Sequence, residues 1–433
     1  MLHTRIAHVA RPLLAFAVLL TPLTILLAAP SPRPAYASDE TPYVELKGRA
    51  VLPADTFAPG PPSGFAITGN TNGRAVPFSN QPVQGISAVL PKWNGNWLVM
   101  SDNGFGAKAN SADYRLRWYE VDADFDAGEV TVVGHTELSD PAGLVPFPIV
   151  NRNRDRALTG ADFDLESFRQ APDGTFWYGE EFGPYLLHTD MEGTLLEAPY
   201  ATPIPPALLP YARGMDVVKS PDHPDFAALP DNDARTAAAN LPRSRGFEGL
   251  ALNTSGTKLY PLLEGALLDD PMRNRLLIQE FDLERKQYTG NYWFYAMESA
   301  SHAIGDMSAI NDTEYLVIER DSGQGATAEF KKIYLVNLND VSADGTLNKR
   351  LVADLLAITD RTGITKPQEG SIGLGPVFTF PFVTIESVYP VDDRTLLVIN
   401  DNNYPFSTGR RADVPDNNEF ILIQLPKALD LDR

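Results

Sequence analysis

The chain has 433 residues, with 56 acidic side chains against 36 basic ones, a net charge of −20 and no cysteine. That balance excludes a binder of the nucleic-acid backbone, which needs a basic face. The missing cysteine excludes a disulfide framework, a thiolate zinc site and a thiol nucleophile, while the apolar share of 43% is that of a folded globular protein.

Arg5 and Arg11 flank the start of an apolar run from Leu13 to Ala29, and a Pro-rich stretch then ends in Ala35-Tyr36-Ala37. A basic region, an apolar region and a small-x-small site make a secretory leader, so residues 1–37 are expected to be removed as a signal peptide. The run is short for a spanning helix and contains Pro22. No later segment is apolar enough to span a bilayer. The expected product is a periplasmic or secreted protein with no stable membrane span, residues 38–433 forming one domain.

Five similar passages follow. The first pairs Gly85-Ile86-Ser87-Ala88-Val89 with Trp97–Asp102, and the second pairs Glu166-Ser167-Phe168 with Phe176–Glu181. The third pairs Glu248–Leu252 with Leu259–Glu264, the fourth Asp306–Ile310 with Tyr315–Glu319, and the fifth Glu386–Tyr389 with Leu396–Asp401. Each reads as a strand, a tight turn of Asn, Asp, Ser or Gly, and a second apolar strand. Further strand-like runs lie at 115–121, 185–189, 275–282, 332–337 and 419–425. Groups of about four strands, repeated along a chain, predict the blades of an all-β propeller, here of five to six blades. The units are unevenly spaced, so insertions are expected at 140–161, 199–245 and 357–384, one or two of which have room for a degenerate sixth blade. Residues 43–50 are placed to pair with the C-terminal strand and close the ring. The best helical signal is short, at 234–240.

In a hairpin the start of one strand lies beside the end of the next. Glu166 is therefore expected near Glu180 and Glu181, Glu248 near Glu264, Asp306 near Glu319, and Glu386 near Asp401. Around one axis these acids converge on a single rim, with Asp102-Asn103 and Asp401-Asn402 adding amide oxygens. Like charges about 4 Å apart repel by about 4 kcal/mol at an effective dielectric near 20. Protons, basic side chains or a metal ion must relieve that repulsion. All-oxygen ligands point to calcium first and magnesium second. The expected ligands are Asp102, Glu166, Glu181, Glu248, Glu264, Asp306, Glu319, Glu386 and Asp401. Arg169, Arg245, Arg320 and Lys108 are the bases within reach, and His302 is placed to approach the rim. There is no nucleophile elbow, no H-E-x-x-H and no Walker loop.

The passage Asp164-Leu165-Glu166-Ser167-Phe168, with Pro172–Trp177 and Glu180-Glu181-Phe182-Gly183-Pro184, resembles the bacterial "esterase-like activity of phytase" family, also called phytase-like domain proteins. Arg245–Leu250 is similar to that family's next block and Ile385–Val388 to its last. The resemblance implies a phosphoesterase-like activity served by repeated Glu and Asp residues.

The leading expectation is a calcium-assisted hydrolase, acting as a monomer on a small anionic phosphate ester or other ester. Glu166, Glu180, Glu181 and Glu248 serve as ligands or base, and Arg245 and Arg320 hold the anion. The alternatives are a non-catalytic propeller that binds a ligand through the same mouth, and a lactonase-type propeller with one central calcium.

Overall fold

The computed structural model describes residues 43–432. The expected signal peptide at 1–37 lies outside the described residues, and among those described no helix is long and apolar enough to cross a membrane.

Among the described residues five antiparallel groups of strands form the blades of a propeller, those of blades one and five being joined into one sheet. Blade one holds Ile86–Pro91, Trp97–Ser101, Arg117–Asp124 and Glu129–Glu137; blade two holds Leu165–Gln170, Phe176–Glu180, Tyr185–Thr189 and the short Tyr200–Ala201. Blade three holds Phe247–Leu252, Lys258–Leu263, Arg275–Asp282 and Gln287–Ala296; blade four holds Ala303–Ala309, Glu314–Arg320, Lys331–Val341 and Leu347–Asp354. Blade five takes Ser387–Pro390, Thr395–Ile399 and Asn418–Gln424 from the C-terminal part of the chain and Glu45–Leu52 from the N-terminal part. The first strands touch in cyclic order, and that of blade five returns to that of blade one.

Ring closure follows the expected route: Glu45–Leu52 runs antiparallel to Asn418–Gln424. It also touches blade one through a single parallel bridge, Val51 to Glu129. Closure removes the open edges that would otherwise recruit another chain.

The core is divided among the interfaces between blades. Side chains on alternate faces of one strand serve different neighbours, as the two-residue period of a strand requires. Tyr315 and Val317 pack toward blade three, whereas Leu316 and Ile318 pack toward blade five. Both faces are buried, and that is why these strands read as continuous apolar runs.

None of the three insertions contains a sixth blade. Residues 140–161 carry no strand, 357–384 hold only the two-residue strands Ile358–Thr359 and Val377–Phe378, and 199–245 are mostly turns and 3-10 helix. The helix predicted at 234–240 is Asn232–Ala238, opened by the Asp231 carboxylate accepting from Ala234 N at 2.8 Å.

Candidate metal centre

Each first strand of blades one to four begins with a break in register opposite the end of the second strand. A bulge bends the strand and re-aims one side chain. The residue it turns toward the axis is Ser87 in blade one, Glu166 in blade two and Glu248 in blade three. Glu386 precedes the first strand of blade five at the same place, with its N–H on Ile399 O. In blade four that place belongs to Gly305, where a Cβ would lie 1.9 Å from Ile385 O.

The second strands each deliver one residue near their end: Asp102, Glu181 and Glu264 just past the last paired residue in blades one, two and three, Asp401 two residues past Ile399 in blade five, and Arg320, still paired with Ala303, in blade four. With Asp164, two residues before Glu166, these side chains line one cavity of about 150 Å³. Its eight carboxylates are Asp102, Asp164, Glu166, Glu181, Glu248, Glu264, Glu386 and Asp401.

Ligand atoms lie within 4.8 Å of one another in three sets: Asp164, Glu166 and Glu181; Glu166, Glu248 and Glu386; Glu181, Glu248 and Glu264. Arg320 is the one base that lines the cavity, with Nη2 at 3.1 Å from Glu386, 3.4 Å from Glu264 and 3.5 Å from Glu248. Arg245 reaches Glu264 at 2.7 Å from the more open side. Ser87 donates to Glu386 at 3.1 Å, Gly246 N to Glu181 at 3.1 Å, and Asn103 Nδ2 to Asp164 at 2.7 Å. Thr384 and Asn403 N hold Asp401, and Gln84 and Gly104 N hold Asp102. Two glycines permit this crowding. Gly85, at φ +61°, leaves room for the Asp102 carboxylate, and Gly246 lies against the Glu181 backbone, where a Cβ would fall 2.3 Å from Cα.

Glu166 is 9% exposed, and no cation among the described residues pairs with it. Burial, then Asp164, Glu248, Glu386 and Glu181, push its carboxyl well above the usual range. Burial and neighbouring acids raise Glu181, Glu248 and Asp102 likewise. Burial lifts Asp164 to about 7, Glu386 to about 8 and Asp401 to about 6. Arg320 is held above its ordinary value: burial alone would lower it, but Glu264, Glu386 and Glu248 outweigh burial.

Three of the acids expected on the rim are elsewhere. Glu180 faces the other side of its strand and accepts from Phe182 N and Gly183 N, at 2.8 and 2.6 Å. In blade four the repeat begins one residue earlier than the pattern of acids implies, and a one-residue slip moves a side chain to the opposite face. Asp306 therefore turns to Arg169, at 2.8 Å, and to Val388 N. Glu319 turns to Tyr295, His302 and Lys349, at 2.8, 2.8 and 2.6 Å. That placement also takes Arg169 and His302 away from the rim, and Lys108 lies over the Phe182 ring.

The sequence reading missed Asp164, Thr384 and Ser244 as parts of the cavity wall. For Asp164 the signal was present: two residues before Glu166, it lies on the same face of the chain.

A family model described as "Phytase-like: Esterase-like activity of phytase" matches residues 81–404. An uncharacterized secreted protein of the fungus Arthroderma benhamiae is 25% identical over 186 residues, 39% of this chain and 36% of the relative. This chain thus aligns with about a third of the length of the curated relative it matches. Among solved structures, a β-1,3-galactosidase is 10% identical with a TM-score of 0.41, covering 79% of this chain and 57% of that one. A PQQ-bound aldose sugar dehydrogenase of Streptomyces coelicolor is 10% identical with a TM-score of 0.33, covering 89% and 100%. A putative gluconolactonase is 12% identical with a TM-score of 0.30, covering 78% and 74%.

Proposed function

The chain belongs to the phytase-like, "esterase-like activity of phytase" family, and from that premise we propose that it is an exported, calcium-dependent hydrolase of phosphate or other esters, working at the acidic mouth. The observation that carries this reading is Glu166, buried among four other carboxylates with no cation of its own. A buried carboxylate is stable only when paired, protonated or bound to metal. The donors are all oxygen, which fits a hard cation. The export reading draws on the leader-like N-terminus and on the relative named as secreted.

Glu166, Glu181 and Glu248 each belong to two of the three acidic sets and would hold the ion, with Glu264 and Glu386 completing the shell. When bound, calcium supplies positive charge for the ester's anionic oxygens and makes water a stronger acid. Arg320 is fixed among three carboxylates and orients them. Arg245, with 37% of its side chain exposed, meets the incoming anion and balances charge that develops on it. Asp164 belongs to one set only and is aimed by Asn103, which donates to both of its oxygens. It takes the proton of the attacking water. A cavity of 150 Å³ is smaller than pockets that swallow a whole small molecule, about 300–1,000 Å³, so only the reacting group of the substrate enters.

The test is turnover of a generic phosphomonoester, phosphodiester and carboxyl ester, with calcium and with chelator. Calcium-dependent turnover that Glu166→Gln abolishes without lowering the melting temperature of the chelated protein supports the enzyme. No turnover on any of the three, with calcium or magnesium, refutes it and favours a ligand-binding propeller.

A further inference from the structure

A second cavity, of about 320 Å³, adjoins the acidic mouth, and Gly106 and Ser244 stand in the walls of both. Its charge is opposite. Lys108, Arg235 and Arg243 line it, against the single carboxylate of Asp222. Asp222 is already paired with Arg243. Lys108 Nζ reaches only the carbonyl oxygen of Asp222, at 3.3 Å, and the face of Phe182, at 4.8 Å. Arg235 Nε is buried without a hydrogen-bond partner. Burial lowers the Lys108 pKa, against the opposing charges of Asp222, Glu180 and Asp162, and Arg235 adds to the lowering. Among the described residues neither Lys108 nor Arg235 has a carboxylate within ion-pair distance, and of the three acids that act on Lys108 only Asp222 lines this space.

One tripeptide links the cavities. Ser244 is in the left-handed region, at φ +50°, and the arginines on either side diverge from it. Arg243 goes to Asp222 in the basic cavity, and Arg245 goes to Glu264 at the mouth.

We propose that the basic cavity binds a second oxyanion group, carried by the same ester whose reacting group enters the acidic mouth. The substrate class is then an ester with at least two anionic groups, one for the mouth and one for Lys108 and Arg235. This rests on the hydrolase reading of the mouth. The oxyanion site itself is testable without it.

The first measurement is a calorimetric titration of inorganic phosphate into the chelated, full-length protein. Without a cation the mouth repels phosphate, so binding reports the basic cavity. Saturable binding is expected, weakened about tenfold or more in Lys108→Met and in Arg235→Gln, as loss of a charge-assisted hydrogen bond implies. Arg235 lies on the partly exposed Asn232–Ala238 helix, so its variant keeps the test valid if Lys108→Met fails to fold. Absence of binding to the unmodified protein, or undiminished binding in the variants, overturns the proposal. The second measurement compares an ester that has one anionic group with an ester that has two. The KM of the ester with two anionic groups is expected to rise about tenfold more in Lys108→Met than that of the ester with one. An equal rise for both overturns the pairing of the two cavities on one substrate. Phosphate binding by a protein that turns over neither ester leaves the oxyanion site standing and removes the hydrolase reading.

Discussion

Glu419 and Glu386 are both buried in blade five, and their charges are met in opposite ways. Glu419 lies between Arg49, at 2.8 and 2.9 Å, and Arg410, at 2.9 Å to each oxygen. Burial alone would raise its pKa, yet Arg410 and Arg49 hold it at about 2. Glu386 shares Arg320 with two other glutamates and is pushed up to about 8 by burial and Asp401. Glu319 and Asp306 also have a cation beside them, Lys349 and Arg169, although burial still raises the Asp306 pKa. Where the fold pairs a buried acid, as at Glu419, Glu319 and Asp306, a cation stands beside it; at Glu180 two backbone N–H groups hold the carboxyl instead, and burial pushes it up to about 8. At the mouth eight carboxylates meet two arginines, Arg320 and Arg245, so protons or a bound cation must balance the rest.

Removing the balanced acid has the largest expected effect. Glu419→Gln leaves Arg49 and Arg410 facing each other and is expected to cost about 3–5 kcal/mol. Urea unfolding should give the same loss with calcium and with chelator. A loss that appears only with chelator would contradict the structural role of Glu419.

Removing calcium comes next. A ligand that binds only the folded state at about 100 times its Kd stabilises by about 2.7 kcal/mol, and chelation should remove that amount. The chelated protein should also respond to pH in the opposite sense from Glu419. Asp164 and Glu386, at about 7 and about 8, hold protons more tightly folded than unfolded. Their contribution is present below pH ~4, the unfolded carboxyl range, and is lost as pH rises toward 8. That of Glu419, whose folded pKa is about 2, is present above pH ~4.3, an unfolded glutamate's value, and is lost as pH falls toward 2. Thermal melts of the chelated protein from pH 5 to 8 should therefore decline. A flat or rising profile would show that the mouth acids are compensated within the chain.

The smallest effect is expected at Glu180. Glu180→Gln keeps the side chain's shape and one of its two backbone hydrogen bonds, so stability should fall by about 1 kcal/mol. Calcium affinity should not change, because Glu180 faces away from the mouth. Calorimetry that finds calcium binding lost in this variant would return Glu180 to the site.

The blades were legible because the repeat is written in two-residue alternation and turn chemistry, both local signals. Closure by residues 43–50 was legible because an unpaired strand at each end of a ring has one partner left. The number of blades was not, since long insertions such as 199–245 carry strand-like and loop-like composition together. Most of the mouth could be read from hairpin geometry, Glu166 beside Glu181 and Glu248 beside Glu264. Blade four misled because Asp306 and Glu319 mimic the acids of the other units, one residue out of step. The residues that take their places are Gly305 and Arg320, and only the register of the paired strands distinguishes them. The lack of a cation at Glu166 depends on what lies beside it in space, and no local pattern records that.

The most direct test of the account is a calorimetric calcium titration of the full-length protein beside Glu166→Gln and Glu319→Gln. Saturable binding is expected, abolished in Glu166→Gln and intact in Glu319→Gln, even where Glu319→Gln lowers the melting temperature. Absence of binding by calcium or magnesium, or binding that survives Glu166→Gln undiminished, would contradict it.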